Sequence, residues 1–96
     1  MLTGKEKRYL RGLASLLNPV VIIGKEGIGE QIIAEVANGI KVNELVKIKV
    51  GKNSPEEIKE IVKILEDNEL GEVVQIIGRN VVLYKKNKKE PKINLP

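Results

Sequence analysis

The stretch Pro19-Val20-Val21-Ile22-Ile23-Gly24-Lys25-Glu26-Gly27-Ile28 decides how this chain folds. Val20 to Ile23 are all β-branched, stiff at χ1 and well suited to a pleated strand. Their unbroken run, without a polar alternate, suits a strand covered on both faces and so predicts a central position in a sheet. Gly24 and Gly27 then bracket a turn. Beyond it Ile28, Ile32, Ile33, Val36, Ala37 and Ile40 recur at the spacing of an amphipathic helix that opens at about Ile28, with Gly39 weakening its last turn. Strand, glycine-flanked loop and helix form the nucleus of the reading.

Upstream, Thr3 and Glu6 form a capping box, and Leu10, Leu13, Ala14 and Leu17 mark a first helix that Asn18-Pro19 stops. Downstream, Leu45 to Val50 alternates, with Val46, Ile48 and Val50 on one face and Lys47 and Lys49 on the other. Ser54-Pro55-Glu56-Glu57 reads as an N-cap serine, a proline at the first helical position and a glutamate at the third. Ile58, Ile61, Val62 and Leu65 then form the apolar stripe of a third helix. Val73 to Ile77 and Val81 to Tyr84 flank Gly78-Arg79-Asn80 as a hairpin. The order αβαβαββ predicts an α/β fold, a single compact domain in which three helices pack on a mixed four-stranded sheet. The domain is expected to span residues 1–86. Residues 87–96 read as a basic tail, too polar to bury and mobile in the free protein, with Ile93 and Leu95 able to tie its end down.

Composition narrows the function. Ninety-six residues support one core. No apolar run approaches the roughly 20 residues of a membrane helix, and Met1 to Arg8 lacks the apolar stretch of a signal peptide, so a cytoplasmic location without membrane contact is expected. With no cysteine and no histidine, thiolate and imidazole chemistry is absent, and neither metal nor cofactor is expected. Two tyrosines, Tyr9 and Tyr84, are the only aromatic residues, so any nucleic-acid contact must rest mainly on charge and shape. Tyr84 is read as a packing residue of the hairpin.

Charge is unevenly spread. From Ser54 to Val73 there are two basic and seven acidic residues, whereas from Val74 to Pro96 there are six basic and one acidic. The first helix adds Lys5, Lys7, Arg8 and Arg11 against Glu6. Such segregation suits a protein with one side turned to a polyanion and the other kept clear of it, although a lysine-rich protein also carries simple solvated charge.

The loop Gly24-Lys25-Glu26-Gly27 sits where a strand delivers the chain to a helix, so unpaired N–H groups and the positive end of the helix dipole converge beside Lys25. This outlines a phosphate site. The same glycines are equally explained by a sharp strand-to-helix turn. The dinucleotide fingerprint fails, because Gly24, Gly27 and Gly29 are spaced G-x-x-G-x-G, and Glu44 precedes the second strand where a ribose-binding acid would end it. The phosphate-loop pattern G-x-x-x-x-G-K-[ST] is missing too. Glu6, Glu26, Glu30 and the acids of the third helix read as solvated charge, so no enzyme is expected.

Leu10-Arg11-Gly12-Leu13-Ala14, the stretch from Pro19 to Ile28, Val74-Gln75-Ile76-Ile77-Gly78-Arg79-Asn80-Val81-Val82-Leu83-Tyr84 and Lys92-Ile93-Asn94-Leu95-Pro96 together resemble a stand-alone CRM domain of the YhbY type. The resemblance implies a fold similar to the C-terminal domain of translation initiation factor three. It implies binding of structured RNA, with the GxxG loop used much as in KH domains. It further implies a role in maturation of the large ribosomal subunit, with precursor ribosomal RNA as partner and a monomer favoured. The RNA-binding residues expected on this basis are Gly24, Lys25, Glu26 and Gly27 of the loop, with Lys5, Arg8, Arg11, Arg79, Lys85 and Lys86 extending the surface. Two departures stand out: Glu26 puts a negative charge inside the loop, and Gly29 stands where many relatives have a hydroxyl residue able to cap the helix. Alternatives are a general RNA chaperone and a protein-interaction module whose acidic third helix docks a basic protein.

Overall fold

The structure, a computed structural model, describes residues 1–96. Seven elements follow in the expected order: α1 (Gly4–Ala14), β1 (Val21–Ile23), α2 (Glu30–Asn43), β2 (Leu45–Val50), α3 (Ile58–Asp67), β3 (Glu72–Ile77) and β4 (Asn80–Tyr84). The strands form one sheet in the order β1-β2-β4-β3. β1 and β2 are parallel, while β4 runs antiparallel to both β2 and β3, so the sheet is mixed.

The β-branched run is therefore an edge strand, not the central one expected. Val21 and Ile23 are buried, but Ile22 between them is 64% exposed. A continuous apolar run predicts two covered faces. Here one face lies under α2 and the other stays open at the sheet margin. The central strands are β2 and β4.

Two layers of helix cover the sheet. α2 and α3 close one face over a core that includes Ile23, Val36, Ile48, Ile61, Leu65 and Leu83. α1 closes part of the other, Leu10 and Ala14 packing with Leu45, Val74, Val82 and Tyr84. Strand alternation puts Lys47 and Lys49 on this α1 side, in line with Leu45. Register then sets Ile22, Lys49, Asn80 and Ile77 in one row across the four strands, outside the cluster that α1 makes.

Local signals mostly act as read, with two shifts. Thr3 and Glu6 form the capping box of α1, which ends at Ala14, short of Leu17, in a turn closed by Ser15. Ser54 does not cap α3: its hydroxyl donates to the Glu56 carbonyl at 2.9 Å, and Glu57 forms the capping box with Glu60 instead. This frees the Glu56 side chain for a partner elsewhere. The hairpin turn is Gly78-Arg79, with Gly78 at φ +57° and Asn80 already in β4.

The stretch after Tyr84, expected to be mobile, is held against the body by one side chain. Glu44 terminates α2 at φ 64° and is fully buried. Its carboxylate accepts from the Asn87 N–H at 2.6 Å, the Lys92 N–H at 2.5 Å and the Ile93 N–H at 2.7 Å. Ile93 and Leu95 pack on the α1 cluster. Burial of Glu44 raises its pKa, but three backbone donors and the nearby charge of Lys86 outweigh that and hold it below the ordinary 4.5.

Because folding depresses this pKa, the contribution of Glu44 to stability is complete above the unfolded value and is lost as pH falls through the folded one. Glu44→Ala strands three N–H groups and should cost on the order of 3 kcal/mol at neutral pH. Urea unfolding at pH 7 and pH 3 checks this: the gap between wild type and variant should shrink at the lower pH.

Candidate nucleic-acid interface

The C-terminal ends of β1 and β2, the start of β4 and the end of β3 meet at one end of the sheet. Three connections emerge there: the glycine loop, the segment after Val50 and the Gly78-Arg79 turn. The Gly27 N–H donates to the Gly24 carbonyl at 3.0 Å and closes the loop into a tight turn. Lys25 and Glu26 stand exposed at its tip.

Gly27 is buried at φ +73°, and a Cβ built on it would lie 2.5 Å from Oε1 of Glu56. That oxygen accepts from the Ile28 N–H at 3.1 Å. A donor expected to be free for phosphate is thus already used by an internal carboxylate, which props the loop from beneath. Gly24 differs: the nearest atoms to a Cβ there belong to the Asn53 side chain, 4.0 Å away, so a Cβ fits in ordinary contact. Gly29 starts α2 with no side-chain cap, as its departure from the hydroxyl pattern implied.

The adjoining segments are stitched to the loop through the backbone. The Gly51 N–H donates to the Ile23 carbonyl at 2.8 Å. Arg79 turns inward: Nε donates to the Val50 carbonyl at 2.7 Å and Nη2 to the Gly51 carbonyl at 2.8 Å. Its guanidinium ties the hairpin to the end of β2 and spends two of its five N–H donors in that role. Lys49 and Lys52 are exposed at the same end. Together with Lys25 they form its outward charge.

Lys5, Arg8 and Arg11 lie exposed on α1, on the side of the sheet that carries Lys47 and Lys49. Lys47 bridges back, its Nζ donating to the Leu17 carbonyl at 3.0 Å. Lys85 and Lys86 follow β4 and emerge at the other end of the sheet. The expected site residues thus divide between the loop end, the α1 face and the far end, and the Arg79 turn and the lysine arm do not share a side. The acids Glu57, Glu60, Glu66 and Asp67 are exposed on or next to α3, across the sheet from α1. Tyr84 is buried with an unpartnered hydroxyl, its pKa raised by burial and by the charges of Glu44 and Glu6. Tyr9, 43% exposed, is left as the aromatic ring open to a base. No group of three or more acidic side chains is placed to hold a metal ion, and no helix is long and apolar enough to cross a membrane.

The CRS1 / YhbY (CRM) domain matches residues 2–85. The chain belongs to the CRM domain family. It is 38% identical over 96 residues to "Probable RNA-binding protein YqeI" of Bacillus subtilis, covering 100% of both chains. It is 39% identical over 95 residues to an "RNA-binding protein" of Haemophilus influenzae, covering 99% of this chain and 95% of that one. The solution structure of hypothetical protein SAV1595 from Staphylococcus aureus, described as a candidate RNA-binding protein, superposes with a TM-score of 0.80 at 41% identity over 100% of both chains.

The sequence marks Lys49 and Lys52 as basic residues of the second strand and its exit but does not place them at this end of the sheet, and it does not single out Glu56. Lys49 was seen to point with Lys47, but its register beside Ile22 and Asn80 depends on strand pairing. Lys52 follows β2 in a loop with no pattern of its own. Glu56 was absorbed into a helix cap, and only its reach across 28 residues to Ile28 reveals it as the prop of the loop.

Because Gly27 combines positive φ with a carboxylate where its Cβ would be, Gly27→Ala should destabilise the domain by about 2 kcal/mol or more, whereas Gly24→Ala should change stability by less than about 0.5 kcal/mol. Chemical denaturation of the two variants gives the comparison directly. Equal losses would remove the distinction drawn between the two glycines.

Proposed function

We propose that this protein is a non-catalytic RNA-binding module that holds structured RNA by its phosphates, through the Gly24–Gly27 loop end and the basic α1 face. The observation that carries this reading is the separation of charge by the sheet. Arg8 and Arg11 on α1, with Lys49 on the same side of the sheet, are exposed cations, the acids of α3 lie across the sheet from them, and Lys25 and Lys52 add exposed cations at the loop end. A polyanion is drawn to the first surface and repelled by the second. Gly24 has no side chain of its own between its backbone and a sugar-phosphate chain, and the exposed Lys25 stands beside it.

The mode of contact follows from what the surface offers. One half-exposed ring cannot stack a run of splayed bases, so single-strand readout of the aromatic kind is not supported. Exposed lysines and arginines read the spacing of phosphates, which favours the A-form shape of folded RNA over base sequence. The relatives named as RNA-binding proteins support RNA as the partner. We further propose that the protein serves maturation of the large ribosomal subunit in the cytoplasm, acting on precursor ribosomal RNA as an assembly factor. The exposed acids of α3 favour a second reading in which that face docks a basic protein; such a partner would survive nuclease treatment.

Binding to a structured ribosomal RNA fragment should weaken steeply with salt. Lys25→Ala and Lys49→Ala should each reduce affinity roughly threefold to tenfold and lower the slope of log K against log salt by about 1, while Glu60→Ala leaves both unchanged. Fluorescence anisotropy across a salt series reads all three. Wild-type protein that fails to bind at low salt would end the RNA reading and leave protein docking through α3.

A further inference from the structure

At the end of the sheet opposite the glycine loop, the C-terminal half of α2 and the segment from Lys85 to Lys92 enclose a cleft of about 790 Å³. Six lysines line it, Lys41, Lys85, Lys86, Lys88, Lys89 and Lys92, against two glutamates, Glu69 and Glu90. Lys85 is occupied, its Nζ donating to the Glu69 carbonyl at 2.9 Å, and Lys92 pairs with Glu90 at 3.8 Å. Lys41, Lys86, Lys88 and Lys89 make no salt bridge, although the charge of Lys86 is felt by the buried Glu44.

These cations are not scattered along a loose tail. Glu44 accepts from the N–H groups of Asn87, Lys92 and Ile93 and so fixes both ends of the lysine-bearing loop. Asn87 fixes its middle: Nδ2 donates to the Lys41 carbonyl at 3.0 Å, and Oδ1 accepts from the N–H groups of Lys89 at 3.0 Å and Glu90 at 3.1 Å. A buried carboxylate and one asparagine thus hold like charges together in a loop that their repulsion would otherwise open. That arrangement suits an external polyanion, whose phosphates would meet side chains already gathered.

β4 joins the two ends, and its five residues separate them by roughly 14 Å at ~3.4 Å per residue. The two sites lie at opposite ends of the sheet and share no residue, so each can hold its own RNA segment. We propose that the cleft between α2 and the Lys85–Lys92 loop is a second RNA-backbone site, and that one molecule holds two RNA segments, one at each end of the sheet. The proposal rests on the RNA reading above and adds a second site, in trans to the glycine loop.

Two short RNA hairpins, one carrying a donor and one an acceptor fluorophore, test it with the full chain at concentrations where sedimentation shows a monomer. Energy transfer between the hairpins should rise with protein and fall again at excess, as each hairpin acquires its own molecule. The Lys86→Ala/Lys88→Ala/Lys89→Ala triple variant, altered only at exposed positions and checked by thermal melting, should bind a single hairpin yet lose at least tenfold of the transfer. Wild-type binding without transfer, or transfer undiminished in the triple variant, would overturn the second site and leave the glycine loop standing. Failure of the wild type to bind either hairpin would overturn the RNA reading itself. Displacement by polyglutamate as effective as by unlabelled RNA of equal charge would overturn the assignment of the cleft to RNA.

Discussion

Removing the carboxylate of Glu44 from water obliges the chain to surround it with donors, and the donors come from the segment that ends the protein. The residue stops α2 in the left-handed region, turns the chain into β2 and accepts three N–H groups from beyond β4. One side chain therefore joins the end of a helix, the start of a central strand and the C-terminal segment. Ile93 and Leu95 are then delivered to the α1 side of the sheet, where they help complete the smaller of the two cores. Without that anchor, a stretch so rich in lysine would have no reason to lie on the protein.

A parallel device operates at the other end. Glu56 lies beneath the glycine loop, accepts from Ile28 and leaves no space for a side chain at Gly27. In both places an internal carboxylate organises backbone donors, and the lysines of the same loop point outward. The negative charge is spent inside on geometry, and the positive charge remains outside for a partner. Glu26 is the exception, an exposed carboxylate at the tip beside Lys25, while the glutamate that shapes the loop comes from the segment before α3. The same division explains the inward turn of Arg79, which closes the backbone ring around Val50 and Gly51 and leaves the exposed charge to Lys25, Lys49 and Lys52.

Much of this was legible from the residues. Period-2 alternation located β2 and the direction of its lysines, and the capping box at Thr3 and Glu6 started α1 where it begins. The order of elements and the mixed sheet followed from the hairpin and the interleaved helices. What failed depended on contacts between distant segments. An unbroken β-branched run does not reveal whether its second face is covered, so β1 was placed in the centre when it lies at an edge. Ser54 satisfied a local capping pattern that Glu57 fulfils instead. Glu44 and Glu56 look like any surface glutamate in sequence, because their partners are 28 or more residues away. For the same reason, the separation of Arg79 from the lysine arm could not be read before the strand directions were known.

The central claim is that RNA is met by the loop end of the sheet and by the far cleft, while α3 stays clear. Backbone amide chemical-shift mapping by NMR, with a structured ribosomal RNA fragment titrated into the labelled protein, tests it most directly. The account predicts shifts concentrated at residues 24–27, 49–52 and 85–92 and on α1, with those of residues 58–67 unmoved. Shifts centred on α3, or none anywhere at low salt, would contradict it.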